Sequence, residues 1–525
     1  MWQTNWRDNV WSRLDQPWDM IVVGGGITGA GILRLATNLG LRALLVERND
    51  FAWGTSSRST KLVHGGLRYL AQGQYSVTRE SVREREWLMR QGPGLVDPLG
   101  CLLAAYEEGS RSKPAFALAL AFYDLFGHKW EHRYFKGDDF LTLAPHLSEH
   151  GLRGGFRYFD AVTDDARLVL RIIREAVKAG GTALNHASAE SLLLSTHGSA
   201  HGVALRDALS GRTAEVHAPV VINATGAWAD ALRGQVGGKP RIRPSRGSHL
   251  MFAFWRFPVA QAITLVHPQD GRQMFVLPWE GATLAGTTDL DHRQPLDQEP
   301  HITPAEMEYI MTALDARFPS LRLSEKDVLA TFSGVRPIVG TGKGDPSKES
   351  RAHVVLEESG LITITGGKLT TFRPMAVDAL RAVQHLLPQM RSPDGVRPML
   401  DAVPSDLPGT QSLDAAARQR LLGRHASDAP GLVAAAQPGE LETIPGTDSL
   451  WAELRWAARD EGVAHLDDLL LRRVRLGLLL PGGGVRMLER VRSIVQPELD
   501  WDDARWQMEA AAYATLWAQA YSLPR

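Results

Sequence analysis

Three glycines spaced as G-x-G-x-x-G, Gly24, Gly26 and Gly29, are followed about 20 residues later by a carboxylate, Glu47. These types at this spacing bind a dinucleotide. Glycines let backbone N–H groups approach a pyrophosphate, the helix N-terminus beyond them favours its charge, and the carboxylate accepts hydrogen bonds from a ribose diol while repelling a 2′-phosphate. A second chemical stretch runs from Trp53 to Leu70, where Thr55, Ser56, Ser57, Arg58 and Lys61 precede His64, Gly65, Gly66, Arg68 and Tyr69. Small hydroxyl residues, paired glycines and basic groups in one loop suit wrapping an anionic ligand.

The elements that must position these residues follow from the flanking pattern. Met20-Ile21-Val22-Val23 is a short, uncharged, β-branched run and reads as a buried parallel strand. A helix follows from Gly26, then a second buried strand, Ala43-Leu44-Leu45-Val46. Val220-Val221-Ile222 before Asn223-Ala224-Thr225-Gly226, and Leu361 to Thr365 before Gly366-Gly367-Lys368, read as strands returning to the same site. An interrupted nucleotide domain favours FAD, since NAD-type domains usually complete their strand-helix alternation contiguously. Between these returns, period-2 stretches such as Met274 to Leu277 predict an antiparallel sheet in a substrate cap.

The predicted fold class is α/β: a Rossmann-like FAD-binding domain, interrupted by an antiparallel cap and followed by a small all-helical C-terminal domain. The boundaries read as 1–390 for the FAD domain (segments 15–75, 150–235 and 330–390), with cap insertions at 76–150 and 236–330. A Pro/Gly/Ser-rich linker at 391–411 leads to helices over 412–525. Arg472, Arg473 and Arg475 are expected on a solvated helix face.

Composition excludes several classes. With 525 residues, a net charge of −1 and one cysteine, Cys101, the chain has no internal disulfide, no Cys-based metal site and no general affinity for nucleic acid. No secretory signal and no run long enough to span a bilayer is read. Ala115 to Phe126, flanked by Arg111, Lys113, Lys129 and Arg133, reads either as a buried helix or as a helix lying in the headgroup region.

The sequence resembles the FAD-dependent glycerol-3-phosphate dehydrogenases of the respiratory chain, within the D-amino-acid-oxidase-like flavoproteins. The residues that carry the resemblance are GGGITGAG (Gly24 to Gly31), TSSRSTKLVHGGLRYL (Thr55 to Leu70), DDARLVL (Asp164 to Leu170), NATGAW (Asn223 to Trp228), GSH (Gly247 to His249), GTTD (Gly286 to Asp289), SGVRP (Ser333 to Pro337) and GGKLTT (Gly366 to Thr371). They keep the family's order over about the first 380 residues.

The resemblance implies oxidation of sn-glycerol 3-phosphate to dihydroxyacetone phosphate by hydride transfer to FAD, with electrons passed to membrane quinone. It also implies a peripheral protein on the cytoplasmic face of the inner membrane, with a possible anionic lipid contact, and a homodimer is expected. FAD contacts are expected at Gly24, Gly26, Ile27, Thr28, Gly29, Glu47, Arg48, Thr55, Ser56, Ser57, Lys61, Leu62, His64, Ala187, Thr225, Gly226, Lys368 and Leu369. Arg68, Tyr69, Arg336 and Lys368 are expected to bind substrate. Arginine suits phosphate because its planar fork donates two hydrogen bonds and stays charged. His249, with Arg336 and Lys368 beside it, is the expected base, and His64 is the competing histidine. No metal is expected. An oxygen-using glycerol-3-phosphate oxidase, an amino-acid oxidase and a non-catalytic FAD-binding protein are the alternatives.

Overall fold

Met20–Val23 forms a strand whose four residues are all buried, because successive side chains feed two different cores. Met20 and Val22 pack with the helices on one face; Ile21 and Val23 pack on the other with Trp11, Trp18 and Val203. The computed structural model describes residues 2–3, 5–71, 73–107, 113–340, 352–395 and 398–524, and of residues 68, 71 and 113–115 the backbone alone.

The nucleotide sheet has six strands in the order His353–Glu358, Leu361–Gly366, Val220–Asn223, Met20–Val23, Ala43–Val46, Thr182–Leu184. All neighbours pair parallel except the first two. The helices Ile27–Asn38, Asp165–Lys178 and Phe372–Val383 pack together against it. A three-stranded sheet, Ala187–Leu194, Ala200–Asp207 and Thr213–His217, covers the opposite face.

The cap is a ten-stranded, mainly antiparallel sheet. It draws in Leu152–Thr163, Leu62–Val63 and Val328–Val339, three strands from stretches that the sequence reading grouped with the nucleotide segments. The reason is length: Leu152–Thr163 and Val328–Val339 run 12 residues each and leave the flavin region to pair with Val96–Tyr106 and Ile242–Ala253. One cap face is covered by the helix Pro304–Arg317, which starts in a capping box in which the Thr303 hydroxyl accepts from the Glu306 amide and the Glu306 carboxylate accepts from the Thr303 amide.

The other cap face carries C-terminal helices. Leu469, Leu479, Val491 and Tyr513 share one apolar cluster with Leu277, Leu284 and Phe332 of the sheet. The segments Ala415–His425, Trp451–Asp460, Leu488–Leu499 and Asp503–Ala520 are helical, as the spacing predicts. Arg472, Arg473 and Arg475 correct the expectation of a solvated face: all three are buried. Arg473 meets Asp50 at 2.5 Å and Arg475 meets Asp164 at 2.8 Å, so each cation is neutralised by a carboxylate of the nucleotide half.

Candidate active site

The turn after Met20–Val23 is shaped by what glycine lacks. Gly24 has φ +115°, and a Cβ on Gly29 would fall 1.9 Å from the Gly24 carbonyl oxygen, so helix and strand approach as closely as they do only with glycine there. Gly26, the N-cap of Ile27–Asn38, supplies no side-chain cap, which leaves first-turn amides for an anion. One is already used: the Ile27 amide donates to Ser56 Oγ at 2.9 Å. Glu47 ends the second strand and accepts from the Gly25 and Asn49 amides at 2.7 and 2.9 Å. Burial raises its pKa above the ordinary carboxylate value, with those two amides opposing.

From this turn a cavity of about 480 Å³ extends toward the cap. Gly24, Gly26, Ile27, Thr28, Glu47, Arg48, Thr55, Ser56, Leu62, His64, Tyr69, Thr225, Gly226, Arg336, Lys368 and Leu369 line it. The other predicted residues lie behind the wall. Gly29 packs under the turn. Ala187 is buried with its amide on the Glu47 carbonyl, and its neighbours Ser188 and Ala189 face the cavity in its place. Ser57 is buried, and Lys61 corrects the expectation of a cofactor contact: its ammonium lies 2.8 Å from Asp165 with no exposure, so its charge is spent inside the protein. The Arg68 side chain lies outside the described residues.

The far end is cationic. Arg336 donates to Thr287 Oγ1 at 3.0 Å and lies 3.5 Å from Asp289. Lys368 stands before the short helix at Leu369, donates to Ser81 Oγ at 2.6 Å and sits 4.3 Å over the Tyr69 ring. His249 corrects the expectation of a base. It is 1 % exposed, does not line the cavity, and has Nε2 2.9 Å from the Thr60 hydroxyl. Burial, then Arg336 and Lys61, hold its pKa well below the usual histidine range. His64 lines the cavity at the end of Leu62–Val63.

This wall fits FAD: a pyrophosphate turn, a ribose carboxylate and a long pocket ending in cations. The sequence profile of FAD dependent oxidoreductases matches residues 19–373, and that of the C-terminal domain of alpha-glycerophosphate oxidase matches residues 380–506. The aerobic glycerol-3-phosphate dehydrogenase of Staphylococcus epidermidis is 34 % identical over 501 residues, covering 89 % of this chain and 88 % of its own. The chain belongs to the FAD-dependent glycerol-3-phosphate dehydrogenase and oxidase family. Glycerol-3-phosphate dehydrogenase 2 of Mycobacterium tuberculosis is also 34 % identical, over 96 % of this chain and 88 % of its own. The crystal structure of the Bacillus halodurans glycerol-3-phosphate dehydrogenase complexed with FAD superimposes with TM-score 0.80 at 29 % identity, over 99 % of this chain and 98 % of that one. The cofactor of this family member is FAD.

Sequence reasoning missed Trp53 and Trp228, whose rings meet at 5.8 Å on the cavity wall, and Arg272 with Asp289. Trp228 and Asp289 stand in the NATGAW and GTTD motifs, which were assigned no role. Arg272 lies in a turn with no signal of its own.

Proposed function

We propose that this chain oxidises sn-glycerol 3-phosphate to dihydroxyacetone phosphate and passes the two electrons to a membrane quinone. The observation that carries the reading is that Arg336, Lys368, His64 and Tyr69 all line the one cavity, with Lys368 over the Tyr69 ring. FAD, when bound, supplies the hydride acceptor for the C2 hydrogen. Arg336 holds the phosphate through its planar fork, kept in aim by Thr287 and Asp289. His64 takes the proton of the C2 hydroxyl as the hydride leaves, so oxidation removes one hydride and one proton from the alcohol. Lys368 lends positive charge where negative charge gathers on reduction.

The quinone reading rests on a helix face. Lys113–Gly127 buries Leu120 and Tyr123 but exposes Leu118 (60 %), Phe122 (39 %) and Leu125 (59 %) at i, i+4 and i+7. Trp130 beyond it is 72 % exposed, and Arg133 and Lys136 are exposed nearby. An apolar stripe rimmed by cations suits the headgroup region on the cytoplasmic side. No helix among the described residues is long and apolar enough to cross a membrane.

The test is the visible spectrum of the holoprotein under nitrogen, before and after glycerol 3-phosphate. Bleaching supports the substrate; an unbleached flavin sinks it. Reoxidation by a short-chain quinone supports the acceptor. The oxidase reading, favoured by the alpha-glycerophosphate oxidase profile over residues 380–506, predicts instead stoichiometric hydrogen peroxide under air.

A further inference from the structure

His249 is held in a single orientation. It sits on the strand Ile242–Ala253 between Gly286 and Phe332, its partners on the two neighbouring strands. Its ring stacks on Phe332 at 4.6 Å and 13°. On the other strand there is no side chain: a Cβ at Gly286 would come within 2.5 Å of His249 Cδ2. Nε2 reaches the Thr60 hydroxyl at 2.9 Å, whereas Nδ1 is buried with no hydrogen-bond partner among the described residues.

A neutral imidazole carries one N–H, and these contacts select which nitrogen holds it. Placed on Nδ1, the proton would be a buried donor with nothing to bond, the costlier of the two ways to leave that atom unpaired. Placed on Nε2, it bonds to the Thr60 oxygen. That choice has a consequence for Thr60, whose hydroxyl owns one proton. With its oxygen accepting from His249, and with no other acceptor for it among the described residues, the Thr60 proton points to the cavity that Thr60 lines.

We propose that His249 and Thr60 form a fixed donor pair, with the Nε2–H tautomer of His249 orienting the Thr60 hydroxyl to donate a hydrogen bond to the bound flavin cofactor. The cofactor is the acceptor because the loop carrying Thr60 is tied to the nucleotide turn by Ser56 and to the strand Val328–Val339 by Thr55, which donates to the Val335 carbonyl. Thr60 is the contact residue; His249 is a positioning residue that acts through it. The inference rests on FAD occupying this cavity and needs no substrate.

The test follows FAD release from holoprotein on dilution, read by the recovery of flavin fluorescence. Thr60→Val releases FAD about tenfold faster, as loss of one hydrogen bond predicts, while Thr60→Ser matches the parent. His249→Phe keeps the stack, frees the Thr60 rotor and gives an intermediate rate. In parent holoprotein carrying ring-15N histidine, the His249 signal shows Nε2 protonated and Nδ1 bare, a measurement independent of any variant's folding. Parent-like release by Thr60→Val, or a proton found on Nδ1, overturns the proposal. A flavin that glycerol 3-phosphate fails to bleach would sink the substrate reading and leave both of these results standing.

Discussion

Lys61 Nζ and Asp165 Oδ1 meet at 2.8 Å, and neither side chain has any exposure to solvent. The same ammonium donates to the Ser57 carbonyl at 2.7 Å, and Arg475 closes on Asp165 from the C-terminal region. The loop from Thr55 to Leu70 is therefore braced by an ion cluster shared between distant parts of the chain.

Removing the Asp165 charge leaves the buried Lys61 ammonium without its carboxylate partner, while Arg475 keeps Asp164. Asp165→Asn is expected to lower stability by about 3–5 kcal/mol. Thermal unfolding of the variant against the parent, at equal FAD, measures it; a shift of only a degree or two would place Asp165 outside the bracing role.

Gly29→Ala puts a methyl 1.9 Å from the Gly24 carbonyl oxygen. Backbone cannot yield as a flexible side chain does, so the turn opens and the pyrophosphate seat is lost. The expected product is colourless or insoluble protein, read from the flavin-to-protein absorbance ratio. Full flavin content would contradict the close packing.

Arg336→Ala removes the guanidinium proposed to hold the phosphate and leaves the glycine turn at Gly24 to Gly29 untouched. KM for glycerol 3-phosphate is expected to rise on the order of 10–100-fold with an unchanged flavin spectrum, the loss of one charge-assisted contact. Steady-state kinetics beside an absorbance scan checks both halves of this expectation, and an unaltered KM removes Arg336 from the substrate site.

Glu461 carries a pH dependence. Burial pushes its carboxyl up, but Arg167, 2.5 Å away, outweighs this and the pKa settles at about 2. Because that lies below the unfolded value of 4.5, the contribution is full above pH 4.5 and is lost as pH falls toward 2. It amounts to about 3 kcal/mol, and Glu461→Gln should melt well below the parent at pH 7 with the gap closing toward pH 3. A gap that stays constant with pH would assign the loss to packing.

Leu118→Glu together with Leu125→Glu places two charges on the exposed stripe of Lys113–Gly127. Co-sedimentation with anionic vesicles is expected to fall at least tenfold, since each change removes a buried leucine's worth of transfer energy. Reduction of a water-soluble dye by glycerol 3-phosphate should be unaffected. Undiminished vesicle binding would move the docking face elsewhere.

The nucleotide unit was legible because its signals are local: a β-branched run, glycines at fixed spacing and a carboxylate one strand later. Motif order singles out Arg336, Lys368 and Tyr69, and the structure brings all three to one cavity. His249 and Lys61 were misplaced for a physical reason. Both stand in motifs beside the flavin loop, but whether a polar side chain faces ligand or interior depends on strand pairing, and His249 is turned inward by partners 37 and 83 residues downstream, Gly286 and Phe332. The C-terminal arginines misled likewise, since their acidic partners Asp50 and Asp164 lie more than 300 residues upstream.

The order of the nucleotide sheet has a consequence for synthesis. Its strands are drawn from residues 20–23, 43–46, 182–184, 220–223 and 353–366, and Lys368 closes the cavity only after the last of them. Until residues 220–223 have been made, Met20–Val23 has no partner on one side, and the cofactor has no closed seat before Lys368. Arg472 and Arg473 emerge later still, leaving Asp50 without its counter-charges until then. FAD can therefore find its full seat only once about the first 375 residues have been made, and shorter nascent chains are expected to depend on chaperones rather than on cofactor for protection.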